Sequence, residues 1–294
     1  MKFKNIHFII NPASGKEEPI LNYISQAFAD SNINWDLSLT KKGHSAAELA
    51  KKLIDKTDLV IVYGGDGCVT EVATALHGSC TPMAILPGGT ANVMAKELDI
   101  PQDSRDALEL LKDGNHQIKN IDMGTVNGKP FLLRVNMGIM ADMILTADRK
   151  LKETVGQMAY GVTAVKTIAA AEEVSYKMII DGKTIEETGV SLTITNSGNI
   201  GVGDLSMQPG ISVTDGLLDI ILLKDTDLSS LLKVAGSTLL RQKTDALMHW
   251  RCKEVVISTK KAQQYIRDDC EETAKKLTIK MVPASIKILV PAEK

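Results

Sequence analysis

Apolar residues in the first 112 positions fall in short β-branched runs that alternate with stretches at helical spacing. Ile6–Ile10, Trp35–Thr40, Leu59–Tyr63 and Pro82–Leu86 read as strands. Pro19–Ala29, Ser45–Ile54, Val69–Leu76, Asn92–Leu98 and Ser104–Lys112 read as helices, and Ser45 with Glu48 three residues on makes a capping box. Strands alternating with helices imply a parallel sheet covered on both faces, with the unbroken apolar run at 59–63 as a buried strand.

After Asp113-Gly114-Asn115 the period changes to two. Gln117–Val126 and Phe131–Asn136 flank the hairpin signal Asn127-Gly128, and Met178–Asp181 and Thr184–Thr195 flank Asp181-Gly182. Leu217–Leu223, Glu254–Ser258, Gln263–Arg267, Leu277–Met281 and Ile286–Val290 add strands, with helices at about Gly156–Glu172 and Leu228–Leu239. The chain therefore divides into an α/β domain over 1–122 and an antiparallel β-sandwich over 123–294, with 288–294 returning to the first domain.

Composition narrows the function classes. With 294 residues, 44% hydrophobic and 24% charged, the chain has the balance of a globular protein of two domains. A formal net charge of −2 argues against a nucleic-acid partner. The cysteines at 68, 80, 252 and 270 form no CxxC pair, which fits a reducing compartment without a zinc site. Asn11-Pro12 ends the N-terminal apolar run too early for a signal peptide, and no run is long enough to span a bilayer. The expectation is a cytoplasmic protein that meets a membrane only at its surface.

The chemistry gathers where strands end. Leu59–Tyr63 stops at Gly64-Gly65-Asp66-Gly67, where three glycines in four positions let the backbone turn tightly beside a ligand. A strand, a glycine turn and a helix N-terminus favour anions such as phosphate. Asp66 in that turn suits Mg²⁺ or a proton, and the stretch equally fits a plain turn with Asp66 as helix cap. Asn11-Pro12-Ala13-Ser14-Gly15-Lys16 lacks the P-loop ending and by itself reads as a polar turn. Pro87-Gly88-Gly89-Thr90-Ala91-Asn92 is a second glycine turn before a helix. All these loops, with Thr40, follow strands of one parallel sheet and so should line one crevice.

NPASGK, GGDGCVTE, LPGGTAN and the distant TDGLLD together, in this order, resemble the diacylglycerol kinase catalytic-domain family, bacterial soluble lipid kinases above all. NAD kinases and phosphofructokinases are more distant likenesses. The resemblance implies a nucleotide domain, a β-sandwich and a cleft between them in which the ATP γ-phosphate passes to the hydroxyl of diacylglycerol or a similar lipid alcohol, giving phosphatidic acid. It implies ATP contacts from Asn11, Pro12, Ala13, Ser14, Thr40, Gly65, Asp66, Gly67, Cys68, Val69, Thr70, Glu71 and Thr90. Asp66 would sit at the phosphates and Mg²⁺. Asp215, with the carbonyls of Ser212 and Leu217, would hold a separate structural Mg²⁺. The family's general base is the glutamate of a DGE motif, for which Asp269-Cys270-Glu271 is the nearest match. Glu271 is thus the expected base, with Glu272 next in register.

Cys68 stands where the family usually has threonine and Thr70 where it has asparagine. Lys16 would help to neutralise phosphate charge. Lys16, Lys150, Lys152 and Lys166 are candidate contacts to an anionic membrane surface, beside an apolar stripe at 156–172 that fits a core face equally well. A homodimer is compatible with these features. The other readings are an NAD or small-molecule kinase of the same superfamily and an inactive nucleotide-binding regulator.

Overall fold

The computed structural model describes residues 3–112, 114–138, 172–200, 206–224 and 247–292. Strands β1 (Asn5–Ile10), β2 (Asn34–Leu39), β3 (Leu59–Gly64) and β4 (Met83–Pro87) form a parallel sheet in the order β2-β1-β3-β4. Alternate side chains of each strand feed two separate cores. On one face Phe8, Ile10, Ile61 and Tyr63 pack against α1 (Ile20–Phe28) and α5 (Ser104–Lys112). On the other face Ile9, Val60, Val62 and Ile85 pack against α2 (Ala46–Leu53), α3 (Asp66–Leu76) and α4 (Val93–Glu97). The result is a three-layer α/β arrangement. Both bonds of the expected capping box form at the start of α2, Ser45 Oγ to the Glu48 amide and Glu48 Oε2 to the Ser45 amide.

The remaining strands are mostly antiparallel. They are β5 (His116–Val126), β6 (Lys129–Phe131), β7 (Arg134–Gly138), β8 (Val174–Ile180), β9 (Lys183–Gly189), β10 (Ser191–Thr195), β11 (Leu218–Leu223), β12 (Leu247–Cys252), β13 (Glu254–Arg267) and β14 (Cys270–Pro291). Their shared core includes Val135, Ile194, Ile220, Tyr176, Ile257, Tyr265 and Ile279, all buried. The expected hairpins form at Asn127-Gly128 and Asp181-Gly182, whose four residues all take positive φ.

Several boundaries differ from the sequence reading. The paired segments expected at 254–258 and 263–267 are one strand, β13, with a register shift between Ser258 and Gln263. Those at 277–281 and 286–290 are likewise one strand, β14, with a shift between Val282 and Ile286. A bulge breaks the alternation without ending the strand. The stretch 184–195 is instead two strands, β9 and β10. β12 was not expected at all, because LMHWRC carries polar and apolar residues without clean alternation. The boundary expected after residue 122 lies inside β5, which pairs along its length with β14. β14 in turn reaches the first sheet, where Ile288 pairs parallel with Met83. One strand thus ties the two halves together, and its N-terminal end hangs over the crevice. The helix expected at 228–239 and the bulk of that expected at 156–172 lie outside the described residues, as do Lys150, Lys152 and Lys166.

Candidate active site

β1 has β2 on one side and β3 on the other, so the connections diverge there and open a crevice at the carboxyl ends. The loop after β1 is held by one side chain. Asn11 Oδ1 accepts from the Ala13 amide at 3.0 Å and from Thr40 Oγ1 at 3.3 Å. The Asn11 amide donates to the Tyr63 carbonyl at 3.0 Å, locking this loop to the end of β3.

The turn after β3 is tighter than the sequence suggested. α3 begins at Asp66 rather than Val69, since Gly65 is the extended cap residue and its carbonyl already accepts from the Val69 amide at 3.1 Å. Glycine is required for packing here. A Cβ built on Gly89 would lie 2.5 Å from the Gly65 Cα, so the two glycine turns touch backbone to backbone. Asn92, in the left-handed region at φ 49°, clamps the second turn by accepting from the Gly89 amide at 2.9 Å and donating to its carbonyl at 3.1 Å.

Together these loops line a cleft of about 1200 Å³. Asn11, Pro12, Ala13, Ser14, Thr40, Gly65, Gly67, Cys68, Thr70, Glu71 and Thr90 form one wall, and Arg267, Asp268, Asp269 and Cys270, from the β13–β14 hairpin, form another. Ser14 Oγ and Thr70 Oγ1 are buried with no hydrogen-bond partner among the described residues. Buried hydroxyls without partners are costly in a finished fold, and these two are available to a polar ligand in the cleft. Glycine backbone, two waiting hydroxyls and a helix N-terminus suit the phosphates of a nucleotide.

Of the residues expected at ATP, Val69 and Asp66 do not line the cleft. Val69 is 3% exposed and belongs to the core under the sheet. Asp66 turns its carboxylate to α4, where Oδ1 accepts from the Val93 amide at 2.6 Å. Burial raises its pKa, and Asp269 adds to the rise; the Val93 and Met94 amides and Arg134 work against it. Cys68 is a buried thiol pushed up to about 12, mainly by burial and then by Glu71, so it is no thiolate nucleophile.

Lys16 is spent elsewhere, for its Nζ donates to the Gln102 carbonyl at 2.6 Å. The cation behind the cleft is Arg134, which the sequence reading missed. Its guanidinium is largely buried among Asp268, Asp66 and Glu97 and donates to the Asn199 carbonyl. Three acids distant in sequence surround it, so only the folded chain reveals the group.

The hairpin departs most from expectation. Asp268-Asp269 is the two-residue turn, with Arg267 paired to Cys270 and Ile266 to Glu271. Asp268 is buried and its two oxygens accept the amides of Leu132, Leu133 and Arg134 at 2.8, 2.9 and 3.0 Å. Asp269 is the tip, close enough to the glycine turn that a Cβ on Gly67 would lie 2.5 Å from its Oδ2. Glu271 is exposed on the strand, accepts from Gln264 Nε2 at 2.9 Å and does not line the cleft. Glu272 is tied to Lys129, Tyr265 and Arg267. Although burial works against it, these three bonds hold its carboxyl below the usual range.

At the stretch expected around a structural Mg²⁺, the side chains of Asp215 and Ser212 have protein partners. Asp215 Oδ1 accepts from the Leu217 amide at 3.0 Å, its other oxygen meets the Arg251 guanidinium, and Ser212 Oγ bonds Thr214 Oγ1 at 3.2 Å. Arg251 also lies 3.6 Å from Asp219, a buried acid that pairs with His249 at 2.6 Å. A guanidinium thus lies against the carboxylate expected at the metal. No group of three or more acidic, histidine or cysteine side chains able to hold a metal occurs among the described residues.

Residues 5–126 match the family described as diacylglycerol kinase catalytic domain, and residues 134–290 that described as YegS C-terminal NAD kinase beta sandwich-like domain. The chain belongs to the diacylglycerol kinase catalytic-domain family. A diacylglycerol kinase of Bacillus subtilis is 27% identical over 80% of this chain and 79% of its own length. An uncharacterised protein of Synechocystis is 28% identical over 99% of this chain and 71% of its own. A crystal structure of a diacylglycerol kinase from Bacillus anthracis superposes with a TM-score of 0.83 at 26% identity, covering 99% of this chain and 98% of the other. Proteins described as diacylglycerol kinases are thus among the relatives of this chain.

Proposed function

We propose that this chain is an ATP-dependent lipid kinase that phosphorylates the hydroxyl of diacylglycerol or a similar lipid alcohol, giving phosphatidic acid or its analogue. The observation that carries the reading is the meeting of the strand-end loops around the two unpartnered hydroxyls of Ser14 and Thr70. Family membership supplies the reaction class. The triphosphate lies along Ser14, the Gly65–Gly67 turn and Thr70, where amides and hydroxyls donate to its oxygens. A Mg²⁺ bound with the nucleotide would supply charge neutralisation at the phosphate oxygens. The chain itself supplies positioning: Asp66 bonds the first turn of α4 and so pins one glycine turn against the other.

The test is incubation with γ-labelled ATP and a panel of acceptors that includes diacylglycerol, other lipid alcohols and NAD. Label in phosphatidic acid or another phospholipid supports the reading. Label in NADP alone, or no transfer to any acceptor, overturns it.

A further inference from the structure

The geometry points to Asp269, not Glu271, as the carboxylate that takes the proton of the acceptor hydroxyl. This deepens the kinase reading and rests on it. Four carboxylates line the cleft: Glu48, Glu71, Asp268 and Asp269. Glu48 is committed to its capping box, and Glu71 accepts from the Ala47 amide at 3.4 Å. Asp268 is filled by three amides. Asp269 alone has no hydrogen bond or ion pair to any described residue, and it is exposed to the cleft at the hairpin tip.

Its position matches the task. Asp269 Oδ2 stands over Gly67 in the turn that receives the terminal phosphate, while its backbone belongs to the opposite wall. An acceptor hydroxyl entering between the walls meets this carboxylate on the side away from the nucleotide. As the hydroxyl oxygen bonds to the γ-phosphorus, its proton passes to Asp269. The bond from that phosphorus to the β,γ-bridging oxygen breaks, and ADP leaves with the electron pair. The positions of the neighbours follow from the turn. With Asp268-Asp269 at its two corners, Cys270 is the first residue of the returning strand, and Glu271 falls on the face shared with Gln264 and Ile266.

The experiment compares wild type, Asp269→Asn, Asp269→Glu and Glu271→Gln for phosphoryl transfer from ATP to diacylglycerol, with nucleotide affinity and melting temperature measured on the same samples. Loss of a general base costs about 100-fold or more in kcat. The expected result is such a loss in Asp269→Asn with ATP affinity held within about threefold, partial activity in Asp269→Glu, and Glu271→Gln within about threefold of wild type. Normal turnover in Asp269→Asn, or the reverse ranking of Asp269→Asn and Glu271→Gln, overturns the assignment while the active wild type leaves the kinase reading standing. A wild type that transfers phosphate to no acceptor overturns both.

Discussion

Burial sets the ionisation of Asp66 more than its charged neighbours do, and this gives a pH test. Its folded pKa is raised, so between the unfolded and folded values the native state binds more protons and stability falls as pH rises. Asp66→Asn removes that loss. The mutant should match wild type in melting temperature below the ordinary carboxylate range and exceed it at neutral pH, although phosphoryl transfer drops by about tenfold or more as the bond to α4 loses its charge. Thermal melts from pH 3 to 8 check the sign; a mutant that is less stable at pH 7 than at pH 3, relative to wild type, contradicts it. The four cysteines give a second test at this scale. Cys68 and Cys252 are buried, each pushed up to about 12 by burial first, whereas Cys80 and Cys270 are exposed. Brief treatment with a neutral maleimide should label Cys80 and Cys270 only. Since Cys270 lines the cleft, ATP should slow its labelling while Cys80 reacts unchanged, as peptide mass mapping would show. Equal protection of both, or of neither, would place the nucleotide elsewhere.

Among the elements, contact between the two glycine turns fixes the width of one wall of the cleft. Gly89→Ala drives a methyl into the Gly65 backbone and should cost about 1–3 kcal/mol as well as weaken ATP binding. Unchanged denaturant midpoint and ATP affinity would show that the turns part easily. The turn before β11 makes a different prediction. With Arg251 against Asp215, divalent cation should not stabilise the nucleotide-free protein, so Mg²⁺ and chelator should leave its melting temperature alike, and Arg251→Gln should cost about 1 kcal/mol. A Mg²⁺-dependent rise in wild type contradicts this. Legibility in the sequence followed locality. The strand, glycine turn and helix at 59–76 and the Ser45–Glu48 cap depend on neighbours in the chain, and they were readable apart from three residues at the start of α3. Arg134 and the register at the hairpin tip were not. Arg134 gains its meaning from Asp66, Asp268 and Glu97, and in RDDCEET the strand register alone selects which acid faces the cleft. A shift of one residue moves every side chain to the other face.

At the scale of the whole molecule, β14 makes the two halves one device. Its first residue, Cys270, lines the cleft, its middle pairs with β5, and Ile288 joins the parallel sheet at Met83. The strand-end loops that line one wall of the cleft and the hairpin that lines the other are therefore set by one continuous hydrogen-bonded framework, with no linker between them among the described residues. Among those residues no helix is long and apolar enough to cross a membrane. Phosphoryl transfer from ATP to a lipid hydroxyl is the activity proposed for that cleft. Its most direct test is a single-turnover assay with γ-labelled ATP and diacylglycerol in mixed vesicles, read as labelled phosphatidic acid. Wild type should form the labelled lipid and a Ser14→Ala, Thr70→Val double mutant should form about 100-fold less, with its loss in nucleotide affinity. Equal yields from the two proteins, or label found in inorganic phosphate and not in lipid, would contradict the account.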